Sequence, residues 1–336
     1  MTPSGILNFQ AAGRDSGMLS RVADNLYWMS RYLERAEHTA RLVDVELELW
    51  LDQARRAGAE RWRFLLEALQ AAPAGDSPVG ATSLVETLVF NRSRPSSLVS
   101  SIASARENLR HVREQCSSEM WEQLNRLYLG VMDEQSDEAR NLKSHAFLRG
   151  VRDGTHLFQG ITDGTMSHGE GWQYIQLGRY VERTVTLALL IGAHFARLPH
   201  APDQAVETAE YLEWIGLLKG CGAFESYCKA YTAEIRPVQV AEFLLLDPDF
   251  PHSVRFSVDC MEASLKTIAD LTDRKAGMPA RIAGRLRAQL SFSDIDEILS
   301  AGAPQFLQTV SRECAELHAA IHQIYFDYPV EAELAS

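Results

Sequence analysis

The chain is poor in the devices that usually announce a function. Its five cysteines, Cys116, Cys221, Cys228, Cys260 and Cys314, form no C-x-x-C pair and are odd in number. That argues against a disulfide framework or a cysteine-based zinc site, and for reduced thiols filling small apolar gaps. The nearest two, Cys221 and Cys228, read as core thiols of one helix. No lysine- or arginine-rich block occurs, and 33 basic residues face 45 acidic ones for a formal net charge of −12. No net positive field therefore draws in DNA, RNA or anionic lipid. The longest apolar stretch, Leu187 to Leu198, is too short to span a bilayer and contains His194 and Arg197. Residues 1–17 mix Gly, Ser, Pro and polar residues without an apolar segment, so a signal peptide is not expected and the location read from this is the cytoplasm. A P-loop, a nucleophile elbow and a dinucleotide-binding fingerprint are all missing, and no cofactor is expected.

What the sequence has in quantity is helical periodicity. Neither an Asn-Gly hairpin signal nor sustained two-residue alternation occurs. From Leu19 to Arg55 an apolar seam runs through Val22, Leu26, Met29, Leu33, Ala36, Ala40, Val43, Leu47 and Trp50, in alternating steps of four and three. That is the heptad seam of a helix packed nearly parallel or antiparallel to another. A shift of 148 residues, begun at Leu26, lands on Tyr174, Leu177, Val181, Thr184, Ala188, Ile191, Phe195 and Leu198, and the seam survives. Weaker matches continue at offsets of 152 and 156, as in Trp62/Trp214 and Pro95/Pro251. The expected fold is all-α, an internally duplicated helical bundle with two long motif helices. The divisions read are a disordered tail over 1–17, a first helical repeat over 18–160, a second over 161–326 sharing one core, and a tail over 327–336. Met18 is a candidate start of translation. The most loop-like segment is 162–171, and further loops are expected at 72–80, 91–95 and 247–251.

The repeat carries charge. Arg31-Tyr-Leu-Glu34-Arg35 returns as Arg179-Tyr-Val-Glu182-Arg183. On the first helix Tyr27, Arg31, Glu34, His38 and Arg41 share one flank, and alone they suit a solvated face laced with i,i+4 ion pairs. The second helix is apolar on nearly every side, so its charges must be paired or lie in a cleft. Two readings stay open: buried Arg–Glu pairs that fix helix register, or a polar cleft in which Arg31, Arg35, Arg179 and Arg183 grip a carboxylate or phosphate. In the second reading Glu34 or Glu182 is the candidate catalytic base, its pKa raised by burial.

Other candidates are weaker. Arg106 and Asn108 lie in a mixed-charge stretch over 97–115, and Asn108 is a poor residue for a helix interior. Ser118 is a candidate helix cap with Trp121 as a core anchor behind it. The helix starts at Pro95-Ser-Ser97 and Pro251-His-Ser253 suit ordinary capping. Glu34-x-x-Glu37-His38 has an outward similarity to di-iron helices, but neither copy supplies Glu-x-x-His, so no metal is expected.

The stretch Met18-Leu-Ser-Arg-Val-Ala-Asp-Asn-Leu-Tyr-Trp-Met-Ser-Arg-Tyr-Leu-Glu-Arg-Ala-Glu-His-Thr-Ala-Arg41 closely resembles the start of the bacterial alpha-E proteins, helical domains with a Glu-Arg motif. Ser104-Ala-Arg-Glu-Asn108, Ser117-Ser-Glu-Met-Trp-Glu-Gln-Leu-Asn125, Gly171-Trp172 and Leu177-Gly-Arg-Tyr-Val-Glu-Arg183 extend the resemblance over about residues 18–326. It implies a companion of a circularly permuted ATP-grasp ligase, sometimes fused to it, in a setting of amide or peptide ligation. The resemblance implies a helical partner of that ligase with a possible peptide or amino-acid ligand; the Arg/Glu residues themselves leave open a stand-alone enzyme acting on an anionic amino acid or acyl phosphate, or a purely structural duplication.

Overall fold

A computed structural model describes residues 18–52, 65–66, 69, 81–133, 144–198, 208–231, 234–272 and 277–326. The described residues form thirteen α-helices and no strand. Two of them organise the rest, namely α1 (Ser20–Asp52) and α6 (Glu170–Arg197). Every described member of the α1 seam from Val22 to Val43 is buried, and every α6 seam residue from Tyr174 to Phe195 is buried, including Thr184. Met18 sits near Glu170, Tyr27 near Gly178 and Glu34 near Arg183, so the two helices run side by side in the same direction.

Other helices wrap this pair. α2 (Ala81–Val85) leads into a wider turn over Glu86–Phe90, and α3 (Leu98–His111) packs along α1. α4 (Ser118–Asp133) and α5 (Ser144–Thr165) pack on each other, with α5 also against α1. Beyond α6 come α7 (Thr208–Gly220), α8 (Phe224–Tyr231), α9 (Pro237–Leu246), α10 (Val254–Thr272), α11 (Gly277–Phe292), α12 (Ile295–Ala301) and α13 (Ala303–Ile321). Of these, α10 and α13 cover α6, so α6 is enclosed on several sides. That enclosure explains why its sequence is apolar nearly all round.

Several expectations need correction. Most of the segment 162–171 is helix: α5 continues to Thr165 and α6 begins at Glu170, leaving a short link of Met166–Gly169. Its glycines and threonines suggested a loop, yet Thr162 and Thr165 each donate their hydroxyl to the carbonyl four residues back, which helices tolerate. Cys221 and Cys228 do not share a helix, because Gly222, at φ +63°, turns the chain between α7 and α8. The cap of α4 is Ser117, whose hydroxyl accepts from Met120 N at 3.2 Å, one residue before Ser118. Ser97 and Ser253 cap α3 and α10 as expected, accepting from Ser100 N and Phe256 N. The expected loop at 72–80 lies outside the described residues.

One glycine sets the spacing of the central pair. A Cβ on Gly178 would lie 2.3 Å from the carbonyl oxygen of Tyr27, a backbone atom that cannot swing aside. Ser30, next to it, donates its hydroxyl to the Ile175 carbonyl at 2.6 Å and ties the same crossing. Gly178→Ala is therefore expected to destabilise the fold by at least ~2 kcal/mol through overpacking, despite alanine's better helix propensity. Urea unfolding of the variant checks this, and an unchanged midpoint would refute the close approach.

Candidate functional site

Facing flanks of α1 and α6 exchange charge across their contact. The Arg31 Nε donates to Glu182 Oε2 at 2.8 Å, and the Arg35 Nε donates to Glu182 Oε1 at 2.6 Å. In the other direction the Arg183 Nε donates to Glu34 Oε1 at 2.6 Å. The contacts Arg35–Glu182 and Arg183–Glu34 are thus the same bond made once from each helix. Glu34, Glu182, Arg31 and Arg183 are all buried, and Arg35 is partly exposed. The flank of α1 that suited a solvated face is therefore mostly interior, because α6 lies over it.

Glu182 is closed on both oxygens. Burial alone would push its pKa up, but Arg31 and Arg35 outweigh burial and hold it below the usual carboxylate range. The expectation of a raised pKa at Glu182 is thereby corrected, since two guanidinium groups bonded to its two oxygens favour the ionised form. Arg31 is also fixed from its other side. It lies over the Trp28 ring at 4.7 Å, and its Nη1 reaches His318 Nδ1 at 3.1 Å. A guanidinium can only donate, so His318 Nδ1 accepts and the imidazole is neutral. Burial, aided by Arg31, pushes His318 down to about 4.

The remaining candidates divide. Arg183 also donates to the Pro251 carbonyl at 2.9 Å and lies over the Tyr180 ring. Arg179 does not join the cluster; it donates to Gln176 Oε1 at 3.2 Å on its own helix. Its surroundings differ from those of Arg31: the charge of Arg179 is felt by Cys260 of α10 rather than paired with a motif carboxylate. Arg106 and Asn108 are remote. Arg106 donates to Asn125 Oδ1 and covers Trp121 and Tyr128, while Asn108 donates back to the Ser104 carbonyl. Arg106 thus bridges α3 and α4, while the Asn108 bond stays within α3.

Beside the Arg31–Glu182–Arg35 group lies a cavity of about 290 Å³. Arg94 and Ser96, from the turn before α3, join its polar side, and Leu42, Leu88, Val185 and Leu189 line its apolar side. Three guanidinium groups face one carboxylate there, so the cavity favours anions. The sequence did not single out Arg94, which reaches the site through a tight turn far from either motif.

A second polar group adjoins the first. Glu34, Glu37 and His38 offer ligand atoms that all lie within 4.8 Å of one another, and all three residues are buried. Glu37 is bonded by Arg41 and approached by His156 Nε2 at 3.4 Å. Burial favours a protonated Glu37, but His156 and Arg41 prevail and hold its pKa well below the carboxylate range.

The family described as Alpha-E, a predicted alpha-helical domain with a conserved ER motif, matches residues 18–326. Uncharacterized proteins of Mycobacterium bovis and Mycobacterium tuberculosis are 26% identical over 326 residues, which cover 90% of this chain and 36% of theirs. The chain thus spans little more than a third of the curated relatives it matches. No solved structure matches it. Among the described residues no helix is long and apolar enough to cross a membrane.

The ion pairs make acid sensitivity predictable. Glu182 has a folded pKa below its ordinary value of 4.5, so its contribution is present above that pH and is lost as pH falls through and below it. His38 and His318 also have folded pKa values below their ordinary 6.5, so their neutral forms support the fold above pH 6.5 and lose that support as pH falls. Glu182→Gln is expected to cost about 3–5 kcal/mol at pH 7, because it leaves buried guanidinium charge uncompensated. Chemical unfolding from pH 7 to 3 should show the imidazole loss retained in the variant and the loss below pH 4.5 flattened. Parallel curves for the two proteins would contradict the assignment.

Proposed function

The chain belongs to the Alpha-E family, and from that membership and the cavity beside Arg31 and Arg35 we propose that it is a helical accessory module of an ATP-grasp-type amide ligase system, whose cleft holds a carboxylate or phosphate of an amino acid or peptide. The observation that carries this reading is the lining of the cavity. Three guanidinium groups and a serine suit an anionic head, while an aliphatic wall suits the body of an amino acid or short peptide. Arg35 is the best placed reader, since it gives its Nε to Glu182 yet remains partly exposed on the cavity wall. The partial coverage of the mycobacterial relatives supports a module that works beside, or joined to, other domains.

A second reading, a register lock with no ligand, is favoured by the bonding of both Glu182 oxygens to its two arginines and by the reciprocal Arg183–Glu34 bond. Catalysis by Glu182 has little support, for the same reason, and Glu34 does not line the cavity.

Calorimetric titration with glutamate, a glutamate-terminated tripeptide and inorganic phosphate separates these readings. Binding of at least one of them is expected, weakened roughly 10- to 100-fold in Arg35→Ala or Arg94→Ala, as for loss of a charge-assisted hydrogen bond. Arg106→Ala should bind like the parent. Affinity unchanged in both cleft variants, or no binding by the parent, leaves the register lock. Co-purification with a circularly permuted ATP-grasp protein tests the partnership separately.

A further inference from the structure

The Glu34–Glu37–His38 group has more unused donor atoms than packing can explain. Among the described residues Glu34 Oε2, Glu37 Oε2 and both ring nitrogens of His38 are buried without a hydrogen-bond partner. The Nδ1 of His252, from the turn before α10, is likewise buried and unpartnered. The His252 ring stacks towards His38, with centroids 6.4 Å apart and planes 18° from parallel. Buried polar atoms in native proteins are nearly always satisfied, so the four orphans of Glu34, Glu37 and His38, whose ligand atoms cluster within 4.8 Å, require a reason, while His252 stands just outside that group. These five belong to side chains that ligate metals and come from two separate parts of the fold; Arg41 Nε, on the guanidinium that bonds Glu37, is also buried without a partner and cannot ligate.

We propose that Glu34, Glu37 and His38, with His252 as the fourth donor, form a binding site for one divalent first-row transition-metal ion. Two carboxylates and two imidazoles match zinc, manganese or ferrous iron better than magnesium or calcium, which prefer all-oxygen sets. The second oxygen of each carboxylate is already held: Glu34 Oε1 by Arg183, and Glu37 Oε1 by Arg41 and His156. Such outer contacts orient a ligating carboxylate and leave its other oxygen directed at the ion. Burial keeps His38 below the usual histidine range against the pull of Glu37 and Glu34, and burial with Arg183 does the same for His252 against Glu37, which is the direction that suits ligation. Access exists along α5, where the His156 side chain is about half exposed beside Glu37.

The site does not rest on the anion cleft, although His38 also lines that cavity. A second donor group, Asp44, Glu48 and His145, serves as the internal comparison. There Asp44 already holds His145 at 2.7 Å and Arg152 at 3.3 Å, so its oxygens are in use.

The test uses full-length, tag-free protein stripped with a chelator, then titrated with Zn²⁺, Mn²⁺ and Fe²⁺ alone, followed by calorimetry and elemental analysis after desalting. One ion per chain is expected for at least one metal, with a rise in the thermal midpoint. His38→Gln should abolish it, His252→Gln should weaken it at least tenfold, and His145→Gln should leave it unchanged. Co²⁺ absorption gives a second readout on the parent protein alone, where visible d–d bands of a nitrogen/oxygen site are expected, so the proposal remains testable if a variant does not fold. No stoichiometric ion on the parent, or an ion lost from His145→Gln but kept by His38→Gln, would overturn it.

Discussion

The bond between Glu182 and the paired guanidinium groups of Arg31 and Arg35 is the constraint on which the rest of this molecule depends. It lies inside, between two helices whose facing seams are otherwise largely apolar. Interior charge costs solvation energy, and a dry pair of similar shape would often be as stable. What the charges add is direction. An apolar seam can slip by a heptad with little penalty, whereas a guanidinium that loses its carboxylate cannot. The reciprocal bond from Arg183 to Glu34 fixes the same register from the other helix, and Gly178 lets the backbones come near enough for both. Specific register is the contribution that best accounts for charge in this position.

Much of this was legible in the sequence, and the reasons are physical. The two long helices could be located because a strict alternation of four and three residues has no other common meaning than a buried helical stripe. Leu26, Met29, Ala36 and Ala40 on one, and Leu177, Val181 and Ala188 on the other, are all interior. The importance of Arg31, Glu34, Glu182 and Arg183 could be inferred from the repeat and from the apolar surroundings of the second copy. Their bonding could not. Arg179 holds the same place in the motif as Arg31, yet it bonds Gln176, and its charge is felt by Cys260 of α10. Local sequence carries no information about which neighbour a side chain will meet.

Arg94 and His252 illustrate the same limit. Each stands in a short turn before a helix and is unremarkable in its own neighbourhood. Each becomes a neighbour of α1 only through the way α3 and α10 dock. The link between α5 and α6 failed for another reason. Glycine and threonine content suggested a break, but helix interiors accept both when hydroxyls bond the preceding turn and neighbouring helices supply the stability. Along α1, two polar groups therefore lie almost back to back. One is an arginine cleft and the other a carboxylate–imidazole cluster, and His38 belongs to both.

The same-direction course of α1 and α6 also bears on how the chain comes to be folded as it is made. Parallel neighbours cannot be joined by a tight connection, so everything from the end of α1 to Gly169 must carry the polypeptide back to the starting end first. Arg31 and Glu182 are 151 positions apart. At ribosomal speeds of ~5–20 residues per second, roughly 10–30 s pass between their emergence. Throughout that interval the nascent α1 lacks its charge partner, and of the described helices it is chiefly α3 and α5 that are there to pack on it. The growing protein must therefore be sheltered by its own earlier helices, or by a chaperone, until α6 arrives to complete the pair.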